Sequence, residues 1–330
     1  MRNRWDGWIG AVIVGAWLAS VCAVVFGADA PDPYPMRPLR LICPWPAGGI
    51  ADLRSRQVAE RLARALGQSV VVENRPGASG TVGLSAAAQA KPDGYTFVMG
   101  SVNDLGIAPA LDPRANGRLA SMVQPLTLAA RGPMILVVSP KLGVRSIAEL
   151  VALAKSQPGR LSYGSSGPNT THHFAGEKFL RATGTQMIHV PYKGSAVMLP
   201  ELVGGTLAMG FEFAATSEPL IKAGKLKALA VRGPRRVGLL PDVPTAREAG
   251  IPEVEAYSWS AYLVPAGTPQ PIANQLASEI VKILRAPDMT QAYNAAGYEV
   301  IASTPEELGA FLREEQVYWA KLARELGMVQ

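Results

Sequence analysis

The apolar positions change period just past residue 49, and that change sets the reading of the first third of the chain. Leu39, Leu41 and Ile42 make a short run that Pro44 and Pro46 cut off as a central strand. Beyond Gly48 and Gly49 the apolar residues Leu53, Val58, Leu62, Ala65 and Leu66 recur at helical spacing, with Arg54, Arg56, Glu60, Arg61 and Arg64 between them, until Gly67 closes the helix. Ser69 to Glu73 reads as a β-branched strand, Asn74-Arg75-Pro76-Gly77 as a turn, Ser79 to Ala90 as a small-residue helix and Tyr95 to Ser101 as a third strand. The order β-α-β-α-β predicts an open parallel sheet, in which ligands sit beyond the carboxyl ends of the strands. Residues 112–122 read as a loop. Pro125 to Ala129 and Met134 to Ser139 read as two strands, and the first crossing between lobes is placed here.

A second set of elements follows. Ser146 and Glu149 form a capping box ahead of Leu150, Val151, Leu153 and Ala154. Leu161 to Gly164 is a strand that enters Ser165-Ser166-Gly167-Pro168-Asn169-Thr170-Thr171-His172-His173, and Phe174 to Leu180 reads as helix. His189 to Ser195 reads as a strand end and turn, Leu199 to Val203 as helix, Leu207 to Phe213 as strand, Thr216 to Ala223 as helix and Ala228 to Val231 as strand. After an irregular connection marked by Pro241, Pro244 and Pro252, Trp259 to Val264 reads as a second crossing strand. Pro271 to Leu284 and Pro305 to Leu326 are helices assigned back to the first lobe. The pattern predicts an α/β protein with two lobes, residues 34–130 plus 258–330 and residues 131–257, joined by two crossover strands that make a hinge.

The chain has 330 residues and a formal charge of +6. Arg2 and Arg4 precede an apolar run from Trp8 to Phe26 and a polar, proline-rich stretch from Asp29, so residues 1–28 read as a signal peptide cleaved near Gly27 or Ala28. An uncleaved anchor is the competing reading, because the run is long enough to span a bilayer. Without this segment the charge is +5 and scattered, which argues against a nucleic-acid stripe. Only Cys43 then remains, so the core rather than a disulfide must hold the fold. No cofactor motif appears: Gly77, Gly80 and Gly83 lack the G-x-G-x-x-G pattern and no P-loop lysine follows. The adjacent His172 and His173 point in different directions on a helix and have no carboxylate at ligand spacing, which argues against a metal pair.

Candidate chemistry concentrates at two strand-to-helix junctions. At the first, Trp45, Ala47, Gly48, Gly49 and Asp52 surround a helix N-terminus whose unpaired N–H groups and dipole suit an anion such as a carboxylate. An ordinary turn with glycines chosen for geometry is the alternative. Ser101, Asn103 and Asp104 end the third strand of the same lobe. At the second junction, Ser165, Ser166, Gly167, Thr170 and Thr171 offer hydroxyls and N–H groups to a carboxylate, or act as a plain capping loop. Lys193 can attract an anion. Glu212, between Phe211 and Phe213, needs a partner or a cleft, which makes it a site candidate or an internal acceptor.

The segments Pro-Leu-Arg-Leu-Ile-x-Pro-x-Pro-Ala-Gly-Gly-x-x-Asp (38–52), Val-Val-Val-Glu-Asn-Arg-Pro-Gly-Ala (70–78), Lys-Pro-Asp-Gly-Tyr-Thr (91–96), His-Val-Pro-Tyr-Lys-Gly-Ser (189–195), Leu-Pro-Asp-Val-Pro-Thr (240–245) and Pro-Ala-Gly-Thr-Pro (265–269) resemble, in collinear order, the Bug receptors. These are the periplasmic solute-binding components of tripartite tricarboxylate transporters, the TctC type. The resemblance implies a Venus-flytrap fold (periplasmic binding protein, type II-like) that closes on a small carboxylate: an organic acid, a dicarboxylate or an amino acid. It implies binding by the 46–52 loop and the 165–171 loop, largely through backbone and water, and places His173 on a family position. The partners it implies are the membrane subunits of such a transporter, or a sensor protein, with a monomeric receptor in the periplasm and no cofactor. Cys43 and Trp45 stand where the family usually has valine and phenylalanine, the 112–122 loop is short, Asp104 stands at an uncharged position, and Glu212-Phe213 replaces an Asp-Asn pair. Asp104 or Glu212 is therefore expected to accept a donor on the ligand. The alternative is an exported enzyme, a hydrolase or isomerase acting on a small carboxylate with Ser165, Ser166 and His173, although no G-x-S-x-G elbow surrounds the serines.

Overall fold

The computed structural model describes residues 34–252 and 257–329, and the compact body of the chain begins at Arg37. The signal segment read over residues 1–28 lies outside the described residues. Three strands, β1 (Leu39–Cys43), β2 (Val70–Asn74) and β3 (Thr96–Ser101), run parallel in the order β2-β1-β3. Leu39, Leu41, Ile42 and Cys43 are buried, as both-face burial of a parallel strand requires. Helix α1 (Ile50–Leu66) leaves the Gly48-Gly49 turn, ends at Gly67 in the left-handed conformation and packs against β2. The next helix is shorter than its small-residue pattern suggests. Ser79 takes a positive φ of 54° inside a 3₁₀ turn, so regular helix α2 covers only Thr81–Ala88. Residues 103–121, partly read as loop, wind through short helical turns instead.

The two strand-like runs around residue 130 are one strand, β4 (Val123–Val138). Gly132 and Pro133 do not break it, because they lie where β4 exchanges neighbours. Residues up to Pro133 pair with β9 (Tyr257–Pro265), and Met134 onward pairs with β7 (Met209–Phe213) and β8 (Lys227–Val231). A proline's missing N–H is tolerated at such a change of ladder. In the second half β5 (Ser162–Ser165) lies between β7 and β6 (Ile188–Pro191), parallel to both. The helices there are α3 (Ile147–Ser156), capped by Ser146, then α4 (Thr171–Thr183), α5 (Ser195–Gly204) and α6 (Ala214–Lys222). The chain returns along β9, antiparallel to both β3 and β4, and finishes with α7 (Gln270–Arg285), α8 (Pro287–Ala295), β10 (Glu299–Val300) and α9 (Pro305–Glu325). Helix α8 and the two-residue β10, which pairs with β4, were not apparent in the apolar pattern.

Each half has its own core. Ile42, Leu84, Val98, Leu105, Leu263 and Trp319 pack in the first, and Leu136, Leu150, Tyr163, Phe179 and Phe211 in the second. Phe174 of α4 is the exception, since it is buried in the first core with its ring edge-on to Trp319 at 5.3 Å. The result is an α/β fold of two lobes with β4 and β9 as the connecting strands.

Candidate functional site

The carboxyl ends of the two parallel strand sets face one another. Ser101 ends β3, Ser165 ends β5, and between them Asn103 Oδ1 accepts the Thr171 N–H at 3.0 Å and the Thr171 hydroxyl at 2.5 Å. Ser79 Oγ donates to the Pro168 carbonyl at 3.3 Å alongside. Thr171 is the first residue of α4, so the Asn103 amide oxygen occupies the place an anion would take at that helix N-terminus.

On the first lobe the Gly48-Gly49 turn is exposed, Gly48 sits at φ 82°, and Gly49 caps α1 without a side chain. Asp52 does not face outward. Its carboxylate accepts the Gly48 N–H at 2.9 Å, Arg56 Nε at 3.0 Å and Asn74 Nδ2 at 2.9 Å, and the same Asn74 nitrogen donates to the Trp45 carbonyl at 3.0 Å. Burial raises the Asp52 pKa, but the bonds from Arg56, Gly48 and Asn74 outweigh it and hold the carboxyl below its ordinary value. Asp52 therefore pins the turn's shape. Ala47 is exposed and Trp45 half-buried. Asp104 is fully buried: its Oδ1 accepts the Ser101 N–H at 2.8 Å and the Ser101 hydroxyl, while Oδ2 has no hydrogen-bond partner among the described residues. Burial pushes its pKa up to about 7 despite the Ser101 bonds.

On the second lobe the loop is largely self-satisfied. Ser165 Oγ bridges the Gly167 backbone and His189 Nε2, and Thr170 Oγ1 donates to the Gly167 carbonyl and caps α4. His173 turns inward, stacked on His189 at 4.0 Å with its Nδ1 accepting the Asn169 N–H, and His189 stacks in turn on Tyr163. Burial lowers the pKa of both imidazoles, and the neighbouring His173 helps take His189 to about 4. Lys193 is exposed on the loop after β6.

The histidine that joins candidate residues is His172. Its Nδ1 is 2.8 Å from Ser166 Oγ, its Nε2 3.5 Å from both Glu212 Oε1 and Ser195 Oγ, and its ring meets Phe213 edge-on. Neither His172 nor Ser195 was singled out from the sequence as a site residue. The start of α4 at Thr171 rather than Phe174 is the feature that turns His172 toward the strand ends. Glu212 has no exposed surface; burial raises its pKa, yet the bonds from His172, Ser195 and the Phe213 N–H bring it below the ordinary carboxyl value. Among the described residues no group of three His, Cys, Asp or Glu side chains is placed to hold a metal ion, and no helix is long and apolar enough to cross a membrane.

Residues 54–328 match the family model of the tripartite tricarboxylate transporter family receptor. The chain belongs to this family. The receptor is 33% identical to Protein BugT of Bordetella pertussis over 96% of each chain. Among solved structures, its fold matches an R. palustris protein crystallised with adipate (TM-score 0.84, 34% identity, 89% of this chain and 98% of that one). It also matches MatC of Rhodopseudomonas palustris with bound malate (TM-score 0.80, 27% identity, 88% and 99%). Two of these proteins hold a small carboxylate, and the enzyme alternative finds no counterpart among the three.

Proposed function

We propose that the receptor binds a small organic acid at the seam where the carboxyl ends of its two parallel strand sets meet, and delivers it to the membrane subunits of a tripartite tricarboxylate transporter. The observation that carries this reading is the Asn103–Thr171 contact, which brings a helix N-terminus of one lobe onto the strand ends of the other. The adipate and malate held by two relatives support a carboxylate as ligand. Trp45, Ala47, Gly48 and Gly49 with Ser101 and Asn103 form one wall, and Ser166, the α4 start and Glu212 the other. The lobe boundary lies within β4 at its change of partners and again near the start of β9. Closure of the lobes on the acid creates the surface that the membrane partner recognises, a population shift driven by the ligand's preference for the closed form. The mature receptor begins near Ala28 after export to the periplasm, is monomeric and performs no chemistry on its ligand.

Thermal unfolding of the mature chain against mono-, di- and tricarboxylates, amino acids and neutral sugars tests this. An acid at a hundred times its dissociation constant stabilises by about 2.7 kcal/mol, a shift of several degrees. A shift with an acid that is recovered intact supports the receptor. Consumption of the acid would replace transport by catalysis, and a response to sugars alone would contradict the carboxylate reading.

A further inference from the structure

Four polar side chains converge at the ends of β5, β6 and β7. Ser166 follows β5, Ser195 opens α5 after β6, Glu212 lies near the end of β7, and His172 stands among them, 2.8 Å from the Ser166 hydroxyl and 3.5 Å from both Ser195 Oγ and Glu212 Oε1. With His172 Nδ1 accepting from Ser166, its Nε2–H points at Glu212. Glu212 Oε1 also takes the Phe213 N–H at 2.8 Å. Glu212 Oε2 is fully buried and has no protein donor among the described residues. A buried carboxylate oxygen without a donor carries its full desolvation penalty, so native proteins supply a partner from the chain, from water or from a ligand.

The position of this oxygen favours the ligand. The residue before His172 is Thr171, which Asn103 of the first lobe contacts; the residue after Glu212 is Phe213, whose ring lies 6.1 Å from that of Tyr298, also of the first lobe. Glu212 thus lies between two contacts that cross the seam. An ionised carboxylate there accepts only, and repels a second carboxylate brought close to it. A plain dicarboxylate has nothing to offer Oε2, whereas an ammonium or hydroxyl supplies the missing donor and an ammonium also balances the buried charge.

We infer that Glu212 sets the ligand class of this receptor: its Oε2 accepts a hydrogen bond from an ammonium or hydroxyl group on the bound acid, so amino and hydroxy acids are preferred over unsubstituted dicarboxylates. The inference rests on the carboxylate-receptor reading and adds the chemistry of the ligand's second group. His172, Ser166 and Ser195 position the carboxylate.

The test is calorimetric titration of matched acids, succinate with malate and aspartate, and glutarate with 2-hydroxyglutarate and glutamate, into the mature wild type, Glu212→Gln and Glu212→Asp. The expected result is that a donor-bearing acid binds wild type about tenfold or more tighter than its unsubstituted partner, the difference a hydrogen bond to a charged group makes. Glu212→Gln is expected to erase that ratio and Glu212→Asp to retain part of it. Substituted and unsubstituted acids that bind wild type within about twofold of each other would overturn the inference while leaving the receptor reading intact, and this arm does not depend on either variant folding. An unchanged ranking in Glu212→Gln would overturn it too, assigning Oε2 to a buried water. Absence of binding by every acid would remove the receptor reading and the inference together.

Discussion

Replacing Asp104 by asparagine isolates the cost of one buried carboxylate. In the folded chain burial pushes the Asp104 pKa from 3.8 to about 7, with the Ser101 hydroxyl and backbone bonds opposing but not cancelling it. A carboxyl whose folded pKa lies above its unfolded value contributes its stability fully below the unfolded value and loses it as pH rises through the folded one. At 1.36 kcal/mol per pH unit, the loss in wild type between pH 5 and pH 8 is on the order of 2–3 kcal/mol. Asp104→Asn does not titrate, and its amide oxygen retains both bonds from Ser101 while the NH₂ takes the place of the unpartnered Oδ2. Urea unfolding of both proteins at pH 5 and pH 8 reads the difference directly. The variant is expected to gain on wild type as pH rises, moving the relative midpoint by up to about 1 M for a slope of about 3 kcal/mol/M. A stability difference that is the same at both pH values would refute the reasoning, because Asp104 would then carry no shifted titration.

Other side chains give independent checks. Phe174→Ala removes a buried ring that reaches from α4 into the opposite core against Trp319, and is expected to cost about 3–5 kcal/mol by chemical denaturation and to enlarge the radius of gyration in X-ray scattering. Asn103→Ala deletes the acceptor of both Thr171 donors; loss of about 1–1.5 kcal/mol of closed-form stability is expected to weaken ligand binding about tenfold in calorimetry with little change in melting temperature. Thr304→Ala breaks the capping box with Glu307 at the start of α9 and is expected to cost about 1 kcal/mol, read from urea midpoints.

Local pattern carried the elements well wherever a residue's role depended on its near neighbours. The bounds of α1 follow from Gly49, the helical spacing and Gly67, and the start of α3 from Ser146, whose hydroxyl accepts the Glu149 N–H; the other half of the expected capping box is not made, because the Glu149 carboxylate takes the N–H of Arg145 instead of that of Ser146. The misreadings share a cause in distant partners. Pro133 looks like a break until β4 is seen to change neighbours there, and β10 is too short to form without β4 beside it. At the site, Asp52 reads as a ligand group from its place in the first helical turn, but Asn74 of β2 and Arg56 turn it into a structural pin. Choosing between His172 and His173 depends on one residue of helix phase, which the hydroxyl-rich loop before α4 does not disclose. The buried state of Glu212 was legible from Phe211 and Phe213 on either side; its link to His172 required the fold.

The central claim, a receptor that closes on a small carboxylate without transforming it, is tested most directly by equilibrium binding to ligand-stripped mature protein. The receptor is unfolded and refolded to release co-purified ligand, titrated calorimetrically with the carboxylate panel, and the bound compound is recovered and identified by mass spectrometry. The account predicts saturable binding of one acid per chain, recovery of that acid unchanged, and no heat from neutral sugars. No binding by any carboxylate after stripping, or recovery of a chemically altered product, would contradict it.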